Sequence, residues 1–466
     1  MSEVLEQSNE SWPEVVVSDV SELIRGVTYS KEHATDKPQD GYTPVLRATN
    51  IQESRLVLES DLVFVPDSNV SANQRLRAGD IVVATSSGSK HLVGKSGLVH
   101  ADWRGSFGAF CAAIRPKANI ESRFLAAFLQ SPSYWKQVGK KALGVNINNL
   151  RRGDIESLTL PLPPLEKQRE IVAELEKQFS RLDEAVANLQ RVKANLKRYK
   201  ASVLKAAVEG RLVETEATLA RRERRTYETG EQLLQQILLS RPSVWKGKYD
   251  SPTPPECPDD AVTPEGWTWI TVSQAMRERI VNGLSIKEST TPTSVRALKL
   301  SAMSDQGLDF NDFRWLPIEL SKVEDIVIRE SDFFVSRGNG SLELVGRGSP
   351  AQDPKQAVIF PDTMMRIRFS QVVNVGPWFH ALWTTRLVRT QVEKRVKTTA
   401  GIYKMAQPEL ASISVPLPPL AEQARIVAEV DRHLSIIREV ESEVDANLQR
   451  AQALRQATLA KAFEHG

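Results

Sequence analysis

From Leu165 to Val208 the apolar residues fall on a helical period with no proline or glycine among them. Leu175, Leu182, Leu189, Leu196 and Val203 recur every seven residues. Val172, Phe179 and Val186 fill the second seam position before Lys193 and Lys200 replace it. This is a heptad pattern with leucine-rich d positions, and it predicts a coiled-coil helix. A second stretch after Leu420 carries Val427, Val430, Leu434, Ile437, Val444, Leu448 and Ala451 in the same way, interrupted at Glu441 and Arg455. About 44 residues of helix span roughly 66 Å. So long an amphipathic helix needs a partner. The chain offers two of similar length, which predicts an antiparallel pair; the alternative is packing on another chain.

Each stretch opens with the same stop and start. The first reads Pro161-Leu162-Pro163-Pro164-Leu165-Glu166-Lys167-Gln168 and continues to Ile171-Val172-Ala173-Glu174. The second reads Pro416-Leu417-Pro418-Pro419-Leu420-Ala421-Glu422-Gln423, then Ile426-Val427-Ala428-Glu429, at an offset of 416 − 161 = 255 residues. Paired prolines end what precedes them, and one fits the first helical turn, where its missing N–H is no loss. An offset above half the chain is too long for a solenoid repeat and marks two copies of a domain-plus-helix module.

Ahead of each long helix the period changes. Leu62 to Val65, Ile81 to Ala84, Phe107 to Ile114 and Ser157 to Leu162 read as short strands bounded by polar clusters, and Ser122 to Val138 reads as one helix. The second copy keeps this order: Ser331-Asp332-Phe333-Phe334-Val335 follows Gly79-Asp80-Ile81-Val82-Val83, and Gly340-Ser341 follows Gly88-Ser89 at 340 − 88 = 252 residues. The fold class is therefore α/β (α+β), with two similar globular domains separated and joined by two long antiparallel helices forming a coiled coil. The boundaries are a first domain over 1–160, the first helix over 161–212, a connector over 213–262, a second domain over 263–415 and the second helix over 416–466. The connector holds the charge run Arg221 to Arg225, a short helix from Gln232 to Ser240 and the extended Ser251-Pro252-Thr253-Pro254-Pro255. The charge run reads as a solvated face ahead of a binding site.

Composition changes this picture little. Hydrophobic residues make up 41% and charged ones 26%, ordinary values for a globular protein. The net charge of +3 means that any basic patch is local. Cys111 and Cys257 form no CxxC motif, which points away from a disulfide scaffold or zinc site and fits a reducing cytoplasm. The polar, acidic start is unlike a signal peptide, and no apolar run is long enough to span a bilayer. Catalytic motifs are missing. Gly88 to Gly94-Lys95-Ser96 has five residues between its glycines where a phosphate-binding loop needs four. No dinucleotide fingerprint, adenine-methyltransferase Asn/Asp-Pro-Pro-aromatic signature or nuclease motif is present, and the six histidines have no metal-ligand or triad spacing.

Two domains that each lead into a Pro-Leu-Pro-Pro-Leu helix resemble the specificity (S) subunits of type I restriction-modification enzymes. The resemblance covers nearly the whole chain. Val262-Thr263-Pro264-Glu265-Gly266-Trp267 is similar to that family's lead-in to a target-recognition domain, and Trp12-Pro13-Glu14 is a reduced form of it. Leu23 to Tyr29 and Ser106 to Cys111 resemble segments of one subgroup's first recognition domain. Some members carry a further tail that would mirror Arg211 to Arg241; the sequence ends at Gly466, so the pseudo-symmetry is expected to be incomplete. The resemblance implies a non-catalytic, cytoplasmic DNA-specificity subunit that reads a bipartite site on double-stranded DNA, one half per domain, with the helices setting the spacing. It implies two methyltransferase and two restriction subunits as partners. S-adenosylmethionine, ATP and Mg2+ would be used in those partners, with no cofactor or metal held here.

On that reading, the loops after the matched strands are the candidate DNA contacts: Thr85, Ser86, Ser87, Ser89 and Lys90 in the first domain, and Ser336, Arg337, Asn339 and Ser341 in the second. They combine hydroxyls, an amide and cations with glycines that allow close backbone approach. Further candidates are Tyr29, Arg47 and Lys299, with Asn146, Tyr403 and Lys404 from the stretches ahead of each last strand. For each of these an ordinary polar turn is the alternative. A coiled-coil adaptor whose domains bind proteins is the competing function, distinguished by whether the chain confers sequence-selective DNA binding; a self-sufficient enzyme is the third option.

Overall fold

The computed structural model describes residues 12–52, 54–87, 92–141, 148–245, 249–257, 263–371, 373–399 and 401–463. It comprises two compact units: Met1–Arg191 with Val444–Gly466, and Val192–Glu443. Both long helices are continuous, Leu165–Val208 and Leu420–Phe463, each of 44 residues.

In the first unit Ser21–Arg25, Cys111–Pro116, Ile81–Ala84 and Ser96–Leu98 form an antiparallel sheet in that order. Ser106–Phe107, Tyr42–Leu46 and Val63–Pro66 form a second sheet, parallel at its first pair. The second unit repeats both. Val281–Asn282, Met364–Arg368, Asp332–Ser336 and Gly348–Pro350 make the four-stranded sheet. Val358–Ile359, Val295–Leu298 and Phe313–Leu316 make the three-stranded one. Each domain is closed by a pair joining its start to its end, Glu14–Val16 with Thr159–Pro161 and Thr268–Thr271 with Ser414–Leu417. Those closing strands are the ones that run into the proline motifs.

The proline motif now has a physical account. Two prolines deliver the chain into the first turn, and the glutamine that follows folds back on it. Gln168 Nε2 donates to the Pro163 carbonyl at 2.8 Å, and Gln423 Nε2 donates to the Pro418 carbonyl at 2.8 Å. Gln168 also accepts from the Glu121 backbone N–H at 2.8 Å, which ties the helix start to the first domain. Gln423 Oε1 is buried with no such donor among the described residues.

The heptad positions face inward. Val172, Leu175 and Val203 are buried, and Phe179, Leu182, Val186, Leu189 and Leu196 are half-buried. On the second helix Val430, Ile437 and Val444 are buried, and Val427, Leu434 and Leu448 are half-buried. Within the first unit the end of the second helix meets the start of the first. Arg455 pairs with Asp183 at 2.7 Å and lies over the Phe179 ring at 4.3 Å, while Phe463 packs on Phe124 and Phe128. Within the second unit Tyr199 bonds His433 at 2.9 Å. The helices therefore run antiparallel.

Three expectations change. The strand expected over Phe107 to Ile114 is broken by a turn at Gly108–Cys111, closed by Cys111 N–H to the Gly108 carbonyl at 2.8 Å. The single helix expected from Ser122 to Val138 is two, Ser122–Phe128 and Pro132–Lys141, because Pro132 has no N–H to continue the first helix and suits the start of a second. The connector holds two helices, Glu216–Glu223 and Gly230–Val244. Three of the arginines in its charge run make local ion pairs: Arg221 with Glu265, Arg222 with Glu214, and Arg225 with Glu216 and Glu223. Glu216 also meets Arg425 at 2.7 Å; burial alone would raise its carboxyl, but the two arginines outweigh that and hold it below the usual range.

Candidate nucleic-acid interface

The candidate loops of each domain are brought onto one small ribbon. In the first domain Ser86–Ser87 pairs antiparallel with Asn148–Asn149, Asn149 facing Ser86 and Asn148 facing Ser87. Thr85 anchors it: its N–H donates to the Phe110 carbonyl at 2.9 Å and its carbonyl accepts from Leu150 N–H at 2.8 Å. Ser86 N–H donates to the same Phe110 carbonyl at 3.2 Å. Ser89, Lys90 and Asn146 lie outside the described residues.

The second domain builds the same object. Gly338–Asn339 pairs with Ile402–Lys404, Gly338 facing Lys404 and Asn339 facing Tyr403, and Lys397–Thr399 adds a third strand. Arg337 takes the place of Thr85. Its N–H donates to the Thr363 carbonyl at 2.8 Å, and its carbonyl accepts from Met405 N–H at 2.9 Å. Thr85 and Arg337, Ser86 and Gly338, Ser87 and Asn339, and Asn149 and Lys404 are thus positional equivalents. The backbone frame is shared and the side chains differ at every one of them.

The side chains are not equally available. Arg337 is half-buried, with its guanidinium 3.4 Å from the Asp362 carbonyl, and it pairs with no carboxylate among the described residues. Lys404 is exposed and likewise has no carboxylate partner among them. Asn339 spends its Oδ1 on the Ser341 N–H at 3.0 Å, an Asx turn that leaves only its amide NH2 outward. Ser341 therefore shapes the turn through its backbone. Ser336, expected as a contact, is 2% exposed at the end of a central strand, so its hydroxyl is not on the surface.

Arg47 and Lys299 also match, but each is already paired. Arg47 holds Asp61, which also accepts from Thr49 at 2.6 Å. Lys299 lies 3.4 Å from Asp312, which also bonds Ser301. Tyr29 packs on the cluster of Val27, Val45, Val65 and Val70. Burial raises its hydroxyl above the usual phenol range, against the opposing pull of Arg47. These three read as frame residues beside the ribbons. Lys397 opens the candidate stretch that Lys404 ends. It faces Lys404 across the ribbon, a like-charge pair that an anion would relieve, and Glu409 lies 3.6 Å from its ammonium.

The chain matches the family model for the type I restriction modification DNA specificity domain over residues 9–197. It is 31% identical to the type I restriction enzyme EcoKI specificity subunit of Escherichia coli strain K12, across 97% of this chain and 89% of that one. The chain belongs to the type I specificity-subunit family. It is also 30% identical to the StySPI specificity subunit of Salmonella potsdam, over 97% of this chain and 89% of that relative. A solved chain from work on complex assembly and conformational transition of the type I R-M system shares the fold, with a TM-score of 0.63 at 19% identity and 97% coverage of each chain. In this specificity subunit the four-stranded sheets hold the ribbons in place, and no described helix is long and apolar enough to cross a membrane.

Proposed function

We propose that this chain reads a bipartite site on double-stranded DNA, one half-site through each ribbon, with the long helices setting the spacing between them. The observation that carries the reading is the pair of ribbons: one backbone frame built twice, with different donors and acceptors at equivalent positions, in a chain of the specificity-subunit family. Cations such as Arg337, Lys397 and Lys404 would hold phosphates or guanine edges, and the hydroxyls and amides of the first ribbon would meet base edges. The chain would act without chemistry of its own, in the cytoplasm, by directing two methyltransferase and two restriction subunits. S-adenosylmethionine, ATP and Mg2+ would be used in those partners. A protein-binding adaptor is not favoured, because it gives no reason for two matched polar ribbons, the second with two cations, Arg337 and Lys404, that meet no carboxylate among the described residues.

Replacing residues 11–159 with the first domain of another family member tests this. Modified adenines mapped in a host expressing the complex should show one half-site changed and the other intact. A site that changes in both halves, or methylation without sequence preference, would sink the two-reader model.

A further inference from the structure

Phe110 is 68% exposed, the most exposed aromatic side chain among the described residues. It does not sit on a loose loop. Its carbonyl accepts from both Thr85 and Ser86, its neighbour Cys111 closes the turn on Gly108, and Cys111 pairs with Ala84 in the central sheet. The turn is packed from behind as well: a Cβ added at Gly26 would lie 2.2 Å from the Gly108 carbonyl oxygen, a closeness only glycine permits. A rigid backbone therefore presents a bare phenyl ring to water, beside the hydroxyls of the first ribbon. Single exposed apolar residues are common; this one is held by its own backbone against the strand that carries the candidate contacts.

The second domain has the same turn. Met364 N–H donates to the Pro361 carbonyl at 3.0 Å, and the Thr363 carbonyl receives Arg337 as that of Phe110 receives Thr85. The positional equivalent of Phe110 is thus Thr363, half-buried. Phenylalanine and threonine are both side chains that make apolar contact with the C5-methyl of thymine in the major groove. Neither can read a hydrogen-bonding edge bidentately, so this position is suited to a methyl and not to a donor–acceptor pattern.

We propose that Phe110 is a specificity-determining residue that packs on the C5-methyl group of a thymine in the first half-site. The inference rests on the DNA-reading role above and adds to it the chemistry of one position.

The test uses the full chain assembled with its methyltransferase partner, and duplexes in which each thymine of the first half-site is replaced in turn by uracil. Uracil keeps every hydrogen-bonding group and lacks only the methyl. With the native chain one replacement should weaken binding about fourfold, the value of one buried methyl. Phe110→Ala should bind thymine DNA roughly tenfold more weakly and no longer distinguish uracil at that position. Phe110→Leu should keep most of the discrimination, which shows that the turn still folds. The slope of log K against log salt should be the same in all three, since no charge is removed. No uracil-sensitive position with the native chain, or discrimination that survives in Phe110→Ala, overturns the proposal. Base-pair substitutions in the same assay report the underlying reading separately: if none of them matters, DNA selectivity itself has failed.

Discussion

The two domains carry the same sheets, the same closing strands and the same anchored ribbon, yet they handle charge differently. At the far end of the strand that leads into the first ribbon, Asp80 bonds Arg115 at 2.7 Å and also accepts from the Arg77 N–H at 2.9 Å. The equivalent pair in the second domain is Asp332 with Arg368 at 2.6 Å, again with a backbone N–H, Arg329, on the aspartate at 2.9 Å. There the pair has grown. Glu278 joins it, 3.1 Å from Arg366 and 3.2 Å from Arg368, and burial together with the Arg368 charge pushes Arg366 below its usual range. On the surface the contrast repeats: the first ribbon is neutral among its described residues, and the second carries Arg337, Lys397 and Lys404. The frame is thus what the two copies share, and charge is what they vary.

The largest effect should come from breaking this cross-strand pair in each domain. Asp332→Ala leaves two buried guanidinium groups facing Glu278 alone, and should cost about 3–5 kcal/mol, as expected for an uncompensated buried charge. Asp80→Ala should cost less, because the Arg115 side chain is 14% exposed where that of Arg368 is 5%, and Arg115 keeps Asn73 Oδ1 at 2.6 Å. Denaturant unfolding of the two variants measures this. Equal losses would mean that the extra charges of the second domain carry no added burden.

Next in size is the ribbon contact that differs most. Arg337→Ala should cost ~1–3 kcal/mol of discrimination at one position of the second half-site if the guanidinium reaches a guanine edge. Thr85→Ala, at the equivalent place, should change the first half-site by well under that, since its anchoring is through the backbone. Competition binding against base-substituted duplexes separates the two. Uniform weakening on all DNA would make Arg337 a phosphate contact.

A smaller, acid-dependent effect belongs to the connector. Glu216 is held below its ordinary pKa by Arg425 and Arg225, against burial. Its contribution is therefore present above the unfolded carboxyl value and is lost as pH falls through the folded one. Glu216→Gln should flatten that part of the acid unfolding curve and leave the alkaline side unchanged; an unaltered acid limb would dissociate the ion pairs from stability.

Much of this was readable in advance, for identifiable reasons. The long helices follow from a seven-residue period with no breaker, and the duplicated module follows from Pro161 and Pro416. The two stretches of each candidate site were also visible as glycine- and hydroxyl-rich breaks. Their pairing was not, because Gly338 with Lys404 and Asn339 with Tyr403 are tertiary contacts with no local period. Ser336 was misread as surface because a strand's last residue looks the same in sequence whether it points in or out. Phe110 was hidden inside an apparent strand. The turn at Gly108–Cys111 interrupts an apolar run without a charge or proline to mark it.

The smallest predicted effect is the sharpest test of the charge contrast. Lys404 and Asn149 occupy the same place on the two ribbons, facing Gly338 and Ser86. If Lys404 neutralises a phosphate, its removal releases one fewer counterion on binding. Lys404→Ala should then weaken all duplexes alike and reduce the slope of log K against log salt by about 0.9. Asn149→Ala removes no charge and should leave that slope as it was, whatever it does to the first half-site. Lys397→Ala should act as Lys404→Ala does, but more weakly, since Glu409 already takes part of its charge. Salt titrations of the three variants against one specific and one unrelated duplex decide it. A slope unchanged in Lys404→Ala would place that lysine off the phosphate path, and would leave the neutral and the cationic ribbon equivalent in how they hold DNA.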